Sequence, residues 1–213
     1  MVDFFRNPFF LPWLYPQLTW RIKTDAKELY LTFDDGPVPG PTEFVLGQLA
    51  KFNAPSTFFC IGDNIAKYPD VFRRMFAGGH AIGNHTFNHL SGWSTSTPDY
   101  LDNITQCQDQ IDGLAVMGTS GAPKLFRPPY GRITRNQIKA LGQHNIVMWD
   151  VLTHDYARSL SAERCLRGSI AATRTGSIIV FHDSFKAEKN MEYVLPRFLD
   201  HFASLGYSFK SLR

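Results

Sequence analysis

The chain has 213 residues, 44% of them hydrophobic and 19% charged, and carries a formal net charge of +3. That length fits one domain around a single core, and the composition excludes a disordered or fibrous chain. With no lysine/arginine run and so small a net charge, nothing points to nucleic acid as a partner. The three cysteines, Cys60, Cys107 and Cys165, show no CxxC spacing and read as free buried thiols.

Residues 4–20 read FFRNPFFLPWLYPQLTW, dense in aromatics but broken by Arg6 and three prolines. A signal peptide needs an unbroken apolar run and a small-residue cleavage site, and a transmembrane helix needs about 20 apolar residues. Neither is present, so the expected location is the cytoplasm or the cytoplasmic face of a membrane. Residues 1–24 are expected to form an extended arm packed on or beside the main unit, residues 25–213. Membrane association of residues 1–20 through Trp and Tyr at the headgroup level is the less favoured reading.

Beyond Thr24, short runs rich in β-branched and aromatic residues predict strands at Leu29–Phe33, Ser56–Phe59, His80–Gly83, Lys124–Phe126, Asn145–Trp149, Ser177–Phe181 and Tyr207–Phe209. Between them, apolar spacings of three and four predict helices at Thr42–Lys51, Asn64–Phe76, Pro98 to about Met117, Thr134–Leu141, Ala162–Thr173 and Glu192–Ser204. The KAEKN segment Lys186–Asn190, just past His182, reads as a solvated turn, with contact to substrate the less favoured reading. Seven strands alternating with six helices imply an α/β fold of parallel strands with crossover helices, as a barrel or an open sheet, in one domain.

The polar residues that look functional follow the strands. Asp34 and Asp35 come after the first, His85 and His89 after the third, Arg127 after the fourth, Asp150–Asp155 after the fifth and His182 after the sixth. Ligand sites of barrels and open α/β sheets form at the C-terminal strand ends, so these five segments converge on one mouth.

His85 and His89, four apart, share a face if the segment is a helical turn. An HxxxH pair alone is a weak signal, since most such pairs are surface or core histidines. The adjacent Asp34 and Asp35 would repel at a buried strand end unless a cation lay between them. Two imidazoles and a carboxylate suit hydrolytic zinc and also non-haem iron. The spare carboxylate, arginine and further histidine at the mouth favour hydrolysis.

TFDDGP at Thr32–Pro37, HTFNH at His85–His89, RPPYG at Arg127–Gly131, a degenerate motif around Asp150–Tyr156 and VFH at Val180–His182 occur in that order. From about Leu29 onward the chain resembles the polysaccharide deacetylases, carbohydrate esterase family 4, with a NodB-like domain. The resemblance implies a distorted (β/α) barrel with about seven parallel strands. It also implies a hydrolase that removes acetyl groups from N-acetylglucosamine-type sugars in an oligosaccharide, glycan or glycolipid. The alternatives are an O-acetyl xylan esterase of the same family and a carbohydrate-binding protein that has lost catalysis.

By the same resemblance Asp35, His85 and His89 hold a divalent metal, Zn2+ before Co2+ or Ni2+. Asp34 is the general base, Arg127 pairs with it, His182 is the general acid and Asp155 orients His182. Pro128 and Tyr130 shape the oxyanion site, Tyr156 walls the acetyl pocket, and Val180 is a further substrate-binding residue. The pattern departs from the family at Tyr156, where tryptophan is common, and at Leu152, where an acidic residue is common.

Overall fold

The computed structural model describes residues 4–114 and 124–212. In chain order the elements are α1 (Leu11–Leu14), β1 (Glu28–Asp34), α2 (Pro41–Lys51), β2 (Thr57–Cys60), α3 (Gly62–Lys67), α4 (Pro69–Ala77), β3 (Ala81–Asn84), α5 (Thr97–Leu114), β4 (Lys124–Phe126), α6 (Arg135–Ala140), β5 (His144–Ile146), β6 (Val151–Leu152), α7 (Ala162–Ala172), β7 (Ile178–His182), α8 (Glu188–Ser204) and β8 (Ser208–Phe209). All strand pairings are parallel. The order β5-β4-β3-β2-β1-β7-β6, with β8 beside the start of β1, forms a curled half-barrel of seven strands plus that short addition.

Alternation along β1 separates two environments. Leu29, Leu31 and Phe33 point outward into the layer formed with Val45 and Leu49 of α2 and Phe198 and Leu199 of α8. Tyr30 belongs to the inner cluster with Phe59, Leu125, Val147 and Ile178. Strand periodicity puts Thr32 and Asp34 on that same inner face, with Asp34 topmost. Every parallel strand delivers its last inward residue to one end of the barrel, which is why the scattered polar residues meet.

The end strands of the path, β5 and β6, are bridged by the N-terminal segment. Thr19 N–H donates to Ile146 O at 2.9 Å and Thr19 O accepts from Met148 N–H at 2.7 Å, along the β5 side. Phe5 O accepts from Leu152 N–H at 2.9 Å and Asn7 N–H donates to Asp150 O at 3.1 Å, along the β6 side. Both edges are thereby satisfied. Leu18 and Trp20 are buried against the barrel, whereas Phe9 and Trp13 stand 93% and 82% exposed. No helix among the described residues is long and apolar enough to cross a membrane.

Three expectations differ from the structure. The helix expected over Asn64–Phe76 is two, because Tyr68 takes φ −129°, ψ 55° ahead of Pro69, and a residue before proline is pushed out of the helical region. The strand expected over Asn145–Trp149 stops at Ile146, and its continuation crosses the seam to become the two-residue β6. The last helix starts at Glu188 rather than Glu192, so the second half of the expected solvated turn is helical and its Asn190 is buried. The final residues of the helix expected to reach Met117 lie outside the described residues.

Candidate active site

The β1–β7 register places Asp34 beside His182 at the barrel mouth. Asp35 follows immediately, with φ 83°, and its carbonyl accepts a 2.7 Å hydrogen bond from Asn64 Nδ2. Of the six non-glycine residues with positive φ among the described residues, Asp35, Thr86, His89, Tyr130 and His154 lie in loops at this mouth. Such backbone costs about 1–3 kcal/mol each and persists only where surrounding contacts impose it.

The histidine pair shows how. Residues 85–89 do not form a helical turn, and Thr86 and His89 are left-handed at φ 64° and 56°. The loop is laced down instead. Thr86 N–H donates to Asn84 Oδ1 at 2.9 Å, and the N–H groups of Phe87 and Asn88 each reach Asn103 Oδ1 at 2.9 Å. Asn103 Nδ2 returns a 2.9 Å bond to Asn88 Oδ1. The two imidazoles still converge, with ring centroids 5.0 Å apart, but tertiary contacts bring them together rather than helical spacing.

Asp35, His85 and His89 offer ligand atoms all within 4.8 Å of one another. Asp35 Oδ1 is 3.3 Å from His89 Nε2 and 3.8 Å from His85 Nε2. His85 Nδ1 lies 2.8 Å from the Arg127 carbonyl, which makes Nδ1 the protonated nitrogen and leaves Nε2 as a lone-pair donor. Burial, resisted by Asp34 and Asp35, holds His85 below its usual range. Burial and the neighbouring His85 bring His89 down to about 4. Asp35, although burial opposes its charge, is pulled below the carboxylate range by His182, His85, His89 and Lys186. Two neutral imidazoles and a carboxylate are the state in which such groups bind a divalent cation, so the donor set fits one.

Arg127 is completely buried inside the barrel. Its Nη1 donates to Asp34 Oδ1 and to Thr32 Oγ1, both at 2.7 Å, Nε donates to Val147 O at 3.2 Å and Nη2 to Met148 O at 2.9 Å. The guanidinium lies 4.2 Å from the centre of the Phe59 ring. With its donors engaged on several sides it cannot swing, and it fixes Asp34 at the floor of the mouth.

On the other side His182 Nδ1 and backbone N–H each meet Asp155 at 2.7 Å. Burial works against a charged ring, but the charge and hydrogen bond of Asp155, aided by Asp35 and Asp34, raise His182 to about 9. Asn190 Nδ2 donates to the Asp155 carbonyl at 3.1 Å, so the first turn of α8 holds that loop. Tyr156 sets its ring 4.9 Å from His182, edge to face.

Tyr130, at the end of the Pro128–Pro129 turn, is 61% exposed with its ring 4.6 Å from that of His89. Val180 lies two residues before His182 on the same inner face and is 1% exposed. It sits a layer beneath the mouth, where its carbonyl accepts Thr153 Oγ1 at 2.8 Å, rather than on the accessible surface. Sequence reasoning missed Asn64, Asn190 and Phe59, which touch Asp35, Asp155 and Arg127 from behind, and Asn103, which ties down the loop between the two histidines. It also missed Asp183, fully buried, whose carboxylate accepts from Gly36 N–H at 3.1 Å and Thr42 Oγ1 at 2.6 Å. A side chain added at Gly36 would strike that carboxylate.

A family model described as polysaccharide deacetylase matches residues 21–149. The chain is 36% identical over 159 residues to a peptidoglycan-N-acetylglucosamine deacetylase of Bacillus cereus, covering 74% of this chain and 56% of that protein, so it spans little more than half of that relative. It is 31% identical over 178 residues to a chitooligosaccharide deacetylase of Bradyrhizobium sp., covering 83% and 80%. A solved peptidoglycan N-acetylglucosamine deacetylase, in complex with 4-naphthalen-1-yl-N-oxidanyl-benzamide, superposes with a TM-score of 0.86 at 30% identity over 97% of this chain and 95% of that one.

Proposed function

This chain belongs to the polysaccharide deacetylase family, and from that premise we propose that it is a metal-dependent N-deacetylase acting on N-acetylglucosamine-type residues of a glycan, oligosaccharide or glycolipid. Asp35, His85 and His89 would hold the metal, zinc before cobalt or nickel, and the bound ion would polarise the acetyl carbonyl and make water a better nucleophile. Asp34, fixed by Arg127, receives the proton of the attacking water. The turn at Pro128–Tyr130 borders the developing oxyanion, where one backbone donor is worth roughly 3 kcal/mol. His182 protonates the departing sugar nitrogen from Nε2, while Asp155 holds Nδ1. Tyr156 walls the acetyl side. Residues 25–213 carry this chemistry, and residues 1–24 act as an arm across the barrel seam.

The observation that carries the reading is the 2.7 Å contact of His182 Nδ1 with the buried Asp155 carboxylate, which favours the charged imidazole against the cost of burial. An amine leaves only when protonated, whereas an alkoxide leaves with less help. A histidine held charged through neutral pH therefore serves amide cleavage. Acetate release from chitooligosaccharide and from acetylated xylan tests this. Release from chitooligosaccharide is expected; release from xylan alone would make the chain an O-acetyl esterase, and release from neither, with metal bound, a carbohydrate-binding protein.

A further inference from the structure

Two cations stand at the mouth on opposite sides of the site. On the His89 side, the Arg132 guanidinium lies 5.2 Å from the Trp93 ring and 5.8 Å from the Tyr130 ring. Trp93 is itself tethered through its indole N–H to Ile133 O at 3.3 Å. On the His182 side, Lys186 Nζ lies 5.1 Å from the Tyr156 ring. Each cation is thus one aromatic ring removed from a histidine of the site.

Neither cation makes a direct ion pair with a carboxylate among the described residues, although Lys186 is near enough to Asp35 to help hold that carboxyl down. The mouth's own carboxylates are engaged elsewhere: Asp34 with Arg127, Asp155 with His182, and Asp35 with the histidine pair. Arg132 therefore faces the opening without an ion pair, and Lys186 is offset only through space by Asp35. Resting against rings, their stems lose less freedom when they bind a ligand. Beside them Trp93, Tyr130 and Phe185 are 67%, 61% and 62% exposed, flat apolar faces of the kind that receive sugar rings. A neutral polymer would occupy those faces and leave both cations with nothing but water.

Resting on the deacetylase reading, we propose that Arg132 and Lys186 read anionic substituents, carboxylate or phosphate, on the sugars flanking the one deacetylated, so that the preferred substrate is an acidic rather than a neutral glycan.

The test uses the full chain loaded with zinc and three matched tetrasaccharides: neutral, bearing lactyl carboxylates, and bearing phosphate monoesters. At low salt, kcat/KM for an anionic substrate should exceed that for the neutral one by about fivefold for each cation engaged, and the ratio should shrink as salt rises. Arg132→Gln and Lys186→Gln should each lower that ratio about fivefold, chiefly through KM, and Arg132→Lys and Lys186→Arg should restore most of it. Whichever anionic sugar responds identifies the source of the charge. A ratio near one in the unmodified protein, or one that neither glutamine variant moves, overturns the proposal. If no sugar releases acetate, the deacetylase reading falls separately, and the same ratio measured as dissociation constants by calorimetric titration still decides the role of the cations.

Discussion

His182 and the pair His85/His89 are the same residue type at the same mouth, and burial pushes all of them towards neutrality. They nevertheless end in opposite states. Nδ1 of His85 faces a backbone carbonyl, which fixes a tautomer without supplying a charge. Nδ1 of His182 faces the Asp155 carboxylate, which outweighs the cost of burying an imidazolium. On the proposed mechanism, one partner atom separates the imidazole that would bind metal, which must be neutral, from the one that would donate a proton, which must not be.

The largest expected effect breaks the neutral side of that comparison. His85→Ala or His89→Ala should lose bound metal, read by elemental analysis, and acetate release should fall by more than about 10³-fold, since the ion's Lewis-acid contribution is several kcal/mol. Breaking the charged side should separate the two properties. His182→Ala should retain stoichiometric metal and lose about 10²–10⁴-fold in kcat. Near-normal turnover in that variant would remove His182 as the acid.

Asp155→Asn sharpens the comparison by making the environment of His182 more like that of His85. The proton that His182 donates is present below its pKa, so the unmodified protein should keep its activity up to an alkaline limb near pH 9. Without the carboxylate, burial is opposed only by the more distant Asp35 and Asp34, and the limb should move down by about 1–3 pH units. A limb that stays in place would mean that it reports some other group.

The convergence of these side chains was legible because each belongs to a motif at a strand end. The residues after β1, β3, β4 and β7 meet as expected, since parallel strands deliver their C-terminal residues to one side. What was not legible is what lies behind them. The spacing of His85 and His89 suggested a helical face, and the structure reaches the same convergence through left-handed backbone tied to Asn103, which lies well beyond the histidine loop in the chain. No local pattern announces such a tie. Likewise β6 is two residues long, too short to show an alternation, and the count of about seven strands held although its members changed. Val180 shares the inner face with His182, but periodicity alone cannot tell a residue at the mouth from one a layer below.

Asp183 offers the smallest effect and a third variation on the comparison. Its carboxyl is fully buried next to His182, pairs with no cation among the described residues, and accepts from Thr42 and the Gly36 N–H. Burial, with Asp35 adding to it and Thr42 opposing, lifts it to about 8. An acid whose folded pKa is raised contributes stability that is complete below its unfolded value, near 4, and is lost as pH rises through the folded one. In the metal-free protein Asp183 should therefore contribute a loss of thermal stability between about pH 4 and 8, against the opposite contribution of His85 and His89, and Asp183→Asn, of equal size, should shift the slope of Tm against pH upward over that window. The asparagine keeps an acceptor for Gly36 but must turn its NH2 towards Thr42 Oγ1, so a small uniform loss is expected at low pH. The diagnostic quantity is the slope of Tm against pH rather than Tm itself. An unchanged slope would show that Asp183 stays in one protonation state across the range, and that burial alone does not set the charge of this carboxyl any more than it does for His182.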